Sequence, residues 1–418
     1  MTATPTDPEN RREIERVFRE HYGKALAVLA RHCGDLDDAQ EAVQEAFIEA
    51  MNHWSVAGLP PSPIGWIITT AKHRAIDRQR REASRPQRHA EAMLMLHAND
   101  EPEEESVMRD DQLRLMFTCC HPALNPDAQI ALTLRLIGGL TTPEIASAFL
   151  VSDATMAQRI VRAKSKIRSA GIPYRIPETS DLPLRLQSVL TVVYLIFNEG
   201  YKSSAGETLS REGLIGEAIR LGRSLADLMP HEPEVMGLLA LMLLNASRHA
   251  ARVDNHGDLI LLADQDRSLW DAQMIAEGQA LVRACVQRNQ PGRYQLQAAI
   301  SAVHSESATT GRTDWQAILH LYDLLQQHTR NPIVALHRAV ALSEVQGLEA
   351  GLQALQTLSI QDFYLFHAIR ADFLRRLERR DEASNAYRRA IELVDNAGER
   401  RFLERRLLSL SSSDTAPF

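Results

Sequence analysis

Two groups of side chains in this sequence have the types and spacing to do chemistry, and in both that chemistry is recognition. Thr155, Gln158, Arg159, Arg162, Lys164 and Lys166 crowd one helical segment. Gln and Arg near its start suit paired hydrogen bonds to base edges, and the later Lys and Arg suit phosphates. Trp66, Lys72, His73, Arg74, Arg78, Arg80 and Arg81 form the second group, a basic helix led by an aromatic ring that can stack on a base. A third group, Cys119-Cys120-His121 with His32-Cys33 elsewhere, raises metal or redox chemistry. Adjacent cysteines rarely point at one ion and the C-x-x-C spacing is missing, so these are read as core packing. No phosphate-binding loop, dinucleotide fingerprint, nucleophile elbow or zinc-protease motif occurs. An enzyme is not expected, nor a cofactor, nor a metal.

The elements that position the first group are legible. Thr141 and Glu144 have capping-box spacing with Pro143 between them, which starts a short helix. Ser152 caps a second helix, whose apolar stripe is Met156, Ile160, Ala163 and Ile167. Two short helices joined by a tight turn, the second polar and basic outward, make a helix-turn-helix. From Thr141 to Ala170 five basic residues stand against Glu144 and Asp153, a net of +3 in a chain whose total is −7.

The second group follows an acidic helix, in which Ala39, Val43, Ala46, Phe47 and Ala50 share one face and Asp38, Glu41, Glu45 and Glu49 another. A loop from Gly58 to Ile64 with three prolines separates that helix from the basic one. Seven basic residues from Lys72 to Arg88, less Asp77 and Glu82, give +5 over 17 residues.

A length of 418 residues calls for more than one domain. Hydrophobic residues at 44% and aromatics at 5%, with abundant Ala, Leu, Arg and Glu, favour an all-α chain. Four scattered cysteines build no disulfide framework. Neither a signal-peptide order nor an apolar run long enough for a bilayer is visible, so a cytoplasmic protein without membrane contact is expected.

The chain divides at about 12–88, an acidic linker at 89–109, a second helical unit at 110–171, and a helical array at 184–410 that begins after Pro173, Pro177 and Pro183. Within the array, Ala339 precedes Ala371 by 32 residues, and Gly351 and Leu355 stand where Ala383 and Tyr387 do. Small residues at such positions let paired helices approach, as in tetratricopeptide repeats, although the signature tryptophan is absent.

The order of acidic helix, proline loop, W-I-x-x-x-A-K-H-x-x-I-D-x-x-R-R, linker and helix-turn-helix resembles bacterial RNA polymerase sigma factors of the extracytoplasmic-function class over residues 12–171. The later block DDQLRLMFTCCHPALNPDAQIALTLRLIGGL, with VVYLIFNEGY and the helical extension, looks like the subgroup carrying a tetratricopeptide-like C-terminal domain. The resemblance implies core RNA polymerase and promoter DNA as partners. It places Asp38, Gln44, Glu45 and Phe47 on the polymerase-docking helix, Gly58–Ile64 at the flipped minus-ten base, and Trp66–Arg81 on the strand-opening helix. Lys72 and His73 stand where the family commonly has Arg-Asn. Ser152–Ser169 becomes the minus-thirty-five reader. The linker is expected to mask the basic faces, and the extension to regulate in cis through the sigma domains, polymerase or a regulatory protein, with Tyr194 and Tyr201 near its NEGY motif as contact points. A conventional helix-turn-helix regulator with a helical sensor is the competing reading; it leaves the Trp66 helix without a task. A helical scaffold leaves both motifs unexplained.

Overall fold

The computed structural model describes residues 8–82, 105–149, 151–202, 209–252, 254, 260–306, 313–329, 331–394 and 397–412. Every regular element among them is a helix, in keeping with the composition. Two compact units comprise residues 1–196 and 197–418.

The first unit opens with α1 (Pro8–Cys33), α2 (Leu36–Ala57) and α3 (Pro63–Glu82). Gly34 turns the chain at φ +71°, and Asp35 then caps α2, its carboxylate accepting from the Asp37 and Asp38 N–H groups at 2.7 and 3.4 Å. The proline loop works as a helix start. Ser62 accepts from the Gly65 N–H at 3.3 Å, and Pro63 occupies the first helical position, where a missing N–H loses nothing. Trp54 and Tyr22 are fully buried between these helices, with Phe47 edge-on to Phe18 at 4.7 Å.

The same unit continues through α4 (Glu105–Cys119), α5 (Pro126–Leu132), a π-helical turn (Thr133–Ile137), α6 (Thr142–Ala148) and α7 (Asp153–Ser169). Helix α4 begins at Glu105, inside the stretch read as linker; residues 89–104, Arg85 and Arg88 lie outside the described residues. α1 packs on α4 and on the π turn. Gly23 permits that approach, because a Cβ there would sit 2.5 Å from the Ile137 carbonyl oxygen.

Helix α8 (Leu182–Lys202) carries the chain into the second unit, which holds α9 (Leu209–Leu228), α10 (Pro233–Ala246), α11 (Ala272–Arg288), α12 (Arg293–Glu306), α13 (Trp315–His328), α14 (Pro332–Gln346), α15 (Leu348–Gln356), α16 (Tyr364–Arg376), α17 (Arg380–Leu393) and α18 (Ala397–Ser412). α10 is apolar all round, and α9, α11 and α12 enclose it. Beyond them, α14–α15 and α16–α17 are successive hairpins. Ala339, Gly351 and Leu355 of the first and Ala371, Ala383 and Tyr387 of the second are all buried, so the 32-residue spacing is a repeat of packing positions. No helix among the described residues is long and apolar enough to cross a membrane.

Candidate nucleic-acid interface

The helix-turn-helix is built by its caps. The Thr141 N–H donates to Glu144 Oε2 at 2.7 Å while the Glu144 N–H donates to Thr141 Oγ1 at 3.3 Å, a reciprocal capping box. Ser152 Oγ accepts from the Thr155 N–H at 3.2 Å and starts α7. Met156, Ile160, Ala163 and Ile167 are buried, which holds the opposite face outward. On that face Thr155, Gln158, Arg162 and Lys166 are exposed, and Arg159 leans on Asp127 at 3.4 Å.

Lys164 departs from this pattern. Its side chain is only 11% exposed, and its Nζ donates to Asp37 Oδ1 at 2.7 Å and to Gln40 Oε1. One turn further on, Arg168 reaches Asp37 Oδ2 at 3.0 Å and Asp35 at 3.5 Å. The basic end of α7 therefore rests on the acidic start of α2. Around this contact lies a cleft of about 620 Å³ lined by residues that include Arg31, Asp35, Arg114, Lys164 and Tyr174. The seam continues inward: fully buried Asp111 pairs with Arg31 of α1 at 2.9 Å and with Arg114 at 2.5 Å. Tyr174 donates its hydroxyl to the Ala27 carbonyl at 2.7 Å, and burial raises that phenol's pKa.

On α3 the basic residues lie against the acidic stripe of α2. Arg74 donates to Glu49 from Nε and Nη2 at 3.2 and 2.6 Å, and this carboxylate raises the guanidinium's pKa. Arg78 bridges Glu41 at 2.9 Å and Glu45 at 2.7 Å. His73 is exposed, Lys72 half-buried, and Trp66 stacks on His53 with ring centroids 5.9 Å apart. The Arg80 and Arg81 side chains lie outside the described residues. On α2, Asp38 is exposed and Gln44 and Glu45 half-buried, but Phe47 is 4% exposed and sits in the core. The apolar residues that α2 does present are Ile48 at 54%, Met51 at 52% and Val56 at 90% exposed.

Cys119 and Cys120 are buried, and burial pushes the Cys120 thiol up to about 12, so it stays protonated at neutral pH. Among the described residues no three His, Cys, Asp or Glu side chains are grouped to hold a metal ion.

A basic helix laid over an acidic one, followed by a capped helix-turn-helix, matches two known patterns in order. Residues 17–85 match sigma-70 region 2 and residues 114–167 match sigma-70 region 4. The chain belongs to the extracytoplasmic-function class of RNA polymerase sigma factors. The sigma factor is 26% identical over 166 residues to the ECF RNA polymerase sigma factor SigK of Mycobacterium ulcerans, covering 38% of this chain and 86% of that protein. It is 28% identical over 168 residues to the RNA polymerase sigma-H factor of Pseudomonas aeruginosa, covering 38% of this chain and 87% of that protein. Residues 185–286 of the sigma factor's extension match a family of unknown function, DUF6596. Over nearly its full length the sigma factor is similar to the uncharacterized protein R00370 of Rhizobium meliloti (strain 1021), 41% identical over 400 residues, 93% of this chain and 94% of that one. No solved structure matches the sigma factor.

Sequence reasoning missed Asp35, Asp37 and Gln40 as partners of α7. The available signal was Asp35 itself, an N-cap that turns a carboxylate cluster toward the helix start. It also missed Ile48 and Met51, apolar residues three apart on the otherwise charged side of α2.

Proposed function

We propose that the sigma factor reads two promoter elements with residues 12–88 and 110–171, and that before it meets polymerase it docks the basic end of its own reading helix on the start of α2. In this reading Asp38, Gln44 and Glu45, with Ile48 and Met51 beside them, meet core polymerase; Phe47 braces the helix from inside. Trp66, Lys72 and His73 face the minus-ten strand. Arg74, Arg78, Arg80 and Arg81 supply phosphate contacts, the first two after release from Glu41, Glu45 and Glu49. Thr155, Gln158, Arg159 and Arg162 read the minus-thirty-five element, with Lys164 and Lys166 on phosphates. Sigma factors are not enzymes, and no bond-making role is assigned to any residue.

One observation carries the closed state: Lys164 and Arg168, two of the five basic residues of the reading unit, are bound to Asp35 and Asp37. Masking thus falls to the start of α2, where the sequence pointed to the linker. The helical extension acts in cis on this equilibrium, in the cytoplasm, where polymerase works.

Energy transfer between labels on Asn52→Cys and Ser165→Cys, both exposed positions, in a Cys33→Ser background tests the closed state. Transfer is expected to be high in the free full-length protein and to fall when core polymerase is added. Transfer that polymerase leaves unchanged would overturn the masking.

A further inference from the structure

The second unit contains a concentration of positive charge that promoter reading does not use. Arg248 follows α10, Arg252 ends the adjoining 3₁₀ turn, and Arg267 opens the 3₁₀ turn that leads to Trp270. The Arg267 guanidinium lies 4.5 Å and that of Arg248 5.9 Å from the Trp270 ring centre, and Arg252 stacks 3.8 Å over Tyr201. Arg248 donates to Asn245 Oδ1 and Arg252 to the Tyr201 carbonyl at 2.7 Å, both neutral oxygens, and Arg267 donates to the His304 carbonyl at 2.9 Å.

Among the described residues, no carboxylate pairs with Arg248 or Arg252. Two donors are left over at the centre of the group. Arg248 Nε and Trp270 Nε1 are shut away from solvent with no acceptor. Buried donors are normally satisfied, and a buried cation normally has a counter-charge. An aromatic face attracts a guanidinium without neutralising it. Burial and the neighbouring guanidiniums push Arg248 down, and burial with Arg248 and Arg267 pushes His304 down to about 4, so the imidazole is neutral at pH 7. The surroundings oppose any further positive charge.

We infer that Arg248, Arg252 and Trp270 form a binding site for a small anion, the phosphate or carboxylate group of a metabolite-sized ligand. The guanidiniums supply charge-assisted donors, the indole N–H supplies a neutral one, and Tyr201 and Trp270 hold the arginines in a fixed fan. Tyr201 closes the NEGY motif at the end of α8, so occupancy would be felt where the extension begins. The site is independent of how the N-terminal unit reads DNA.

Isothermal titration of the full-length protein with inorganic phosphate and, separately, with citrate, each against sodium chloride of equal ionic strength, tests the inference. Saturable heat with at least one of the two anions, absent with chloride, is expected; which anion gives it identifies phosphate or carboxylate as the recognised group. Arg252→Gln, at a half-buried position, is expected to weaken that affinity about tenfold or more. Trp270→Phe keeps a ring against the arginines and removes only the N–H; it is expected to weaken binding less, with the thermal unfolding of the free protein little changed. No heat beyond chloride with either anion, or wild-type affinity in both variants, would overturn the site.

Discussion

Lys164 Nζ lies 2.7 Å from Asp37 Oδ1 although 127 residues separate the two in sequence. In the proposed reading, this pairs a lysine of the reading helix with a carboxylate in place of a phosphate. If both ends of the contact belong to the surfaces proposed for polymerase and promoter, opening the contact and forming the complex become one competition.

Removing the carboxylates should therefore strengthen DNA binding by the free protein. Asp35→Asn with Asp37→Asn is expected to raise affinity for promoter duplex about fivefold, since partly exposed ion pairs contribute up to roughly 1 kcal/mol each. Lys164→Glu alone should abolish the gain by removing a phosphate contact. Fluorescence anisotropy at fixed salt reads both.

Gly23 and Gly213 should respond with opposite signs to the same change. Gly23→Ala drives a Cβ to 2.5 Å from the Ile137 carbonyl oxygen, a backbone atom that cannot swing away. Overpacking of this kind costs about 1–3 kcal/mol. Gly213 lies exposed within α9 with nothing within 4 Å of an added Cβ, so Gly213→Ala should stabilise by about 0.5–1 kcal/mol. Denaturant midpoints of the two variants check the pair.

His304 makes stability depend on pH. Its folded pKa is lowered from 6.5 to about 4 by burial and by Arg248 and Arg267, so the unfolded chain takes up the proton first as pH falls. The stabilising term is complete above about pH 6.5 and is lost progressively down to about pH 4. The loss is bounded at roughly 3 kcal/mol by the shift. His304→Gln should flatten the fall in melting temperature between pH 7 and pH 5, relative to wild type, in thermal scans.

Local chemistry was legible in the sequence and long-range pairing was not. The Thr141–Glu144 capping box, the Ser152 cap and the stripe Met156, Ile160, Ala163 and Ile167 are fixed by neighbours within a turn or two, and the structure has them as the spacing requires. Ala339 and Ala371 announced a repeat, because close helix approach demands small residues at a fixed period. The spacing puts Phe47 on the apolar face of α2 with Ala39, Val43, Ala46 and Ala50, where it packs on Phe18; it was the family resemblance that set it among the polymerase contacts. Arg74 and Arg78 read as free cations until Glu49, Glu41 and Glu45 came beside them, 25 and more residues away. The cluster around Arg248 had no signature, since its members come from three separate segments.

The most direct test of promoter reading is in vitro transcription from a fragment library with purified core polymerase and the full-length protein. Promoter-specific initiation is expected with wild type, and its loss with Arg159→Ala plus Arg162→Ala, two positions on the outward face of α7 and away from the Asp35–Asp37 contact. Initiation that survives that double substitution at the same start sites would contradict the assignment of α7 as the promoter-reading helix.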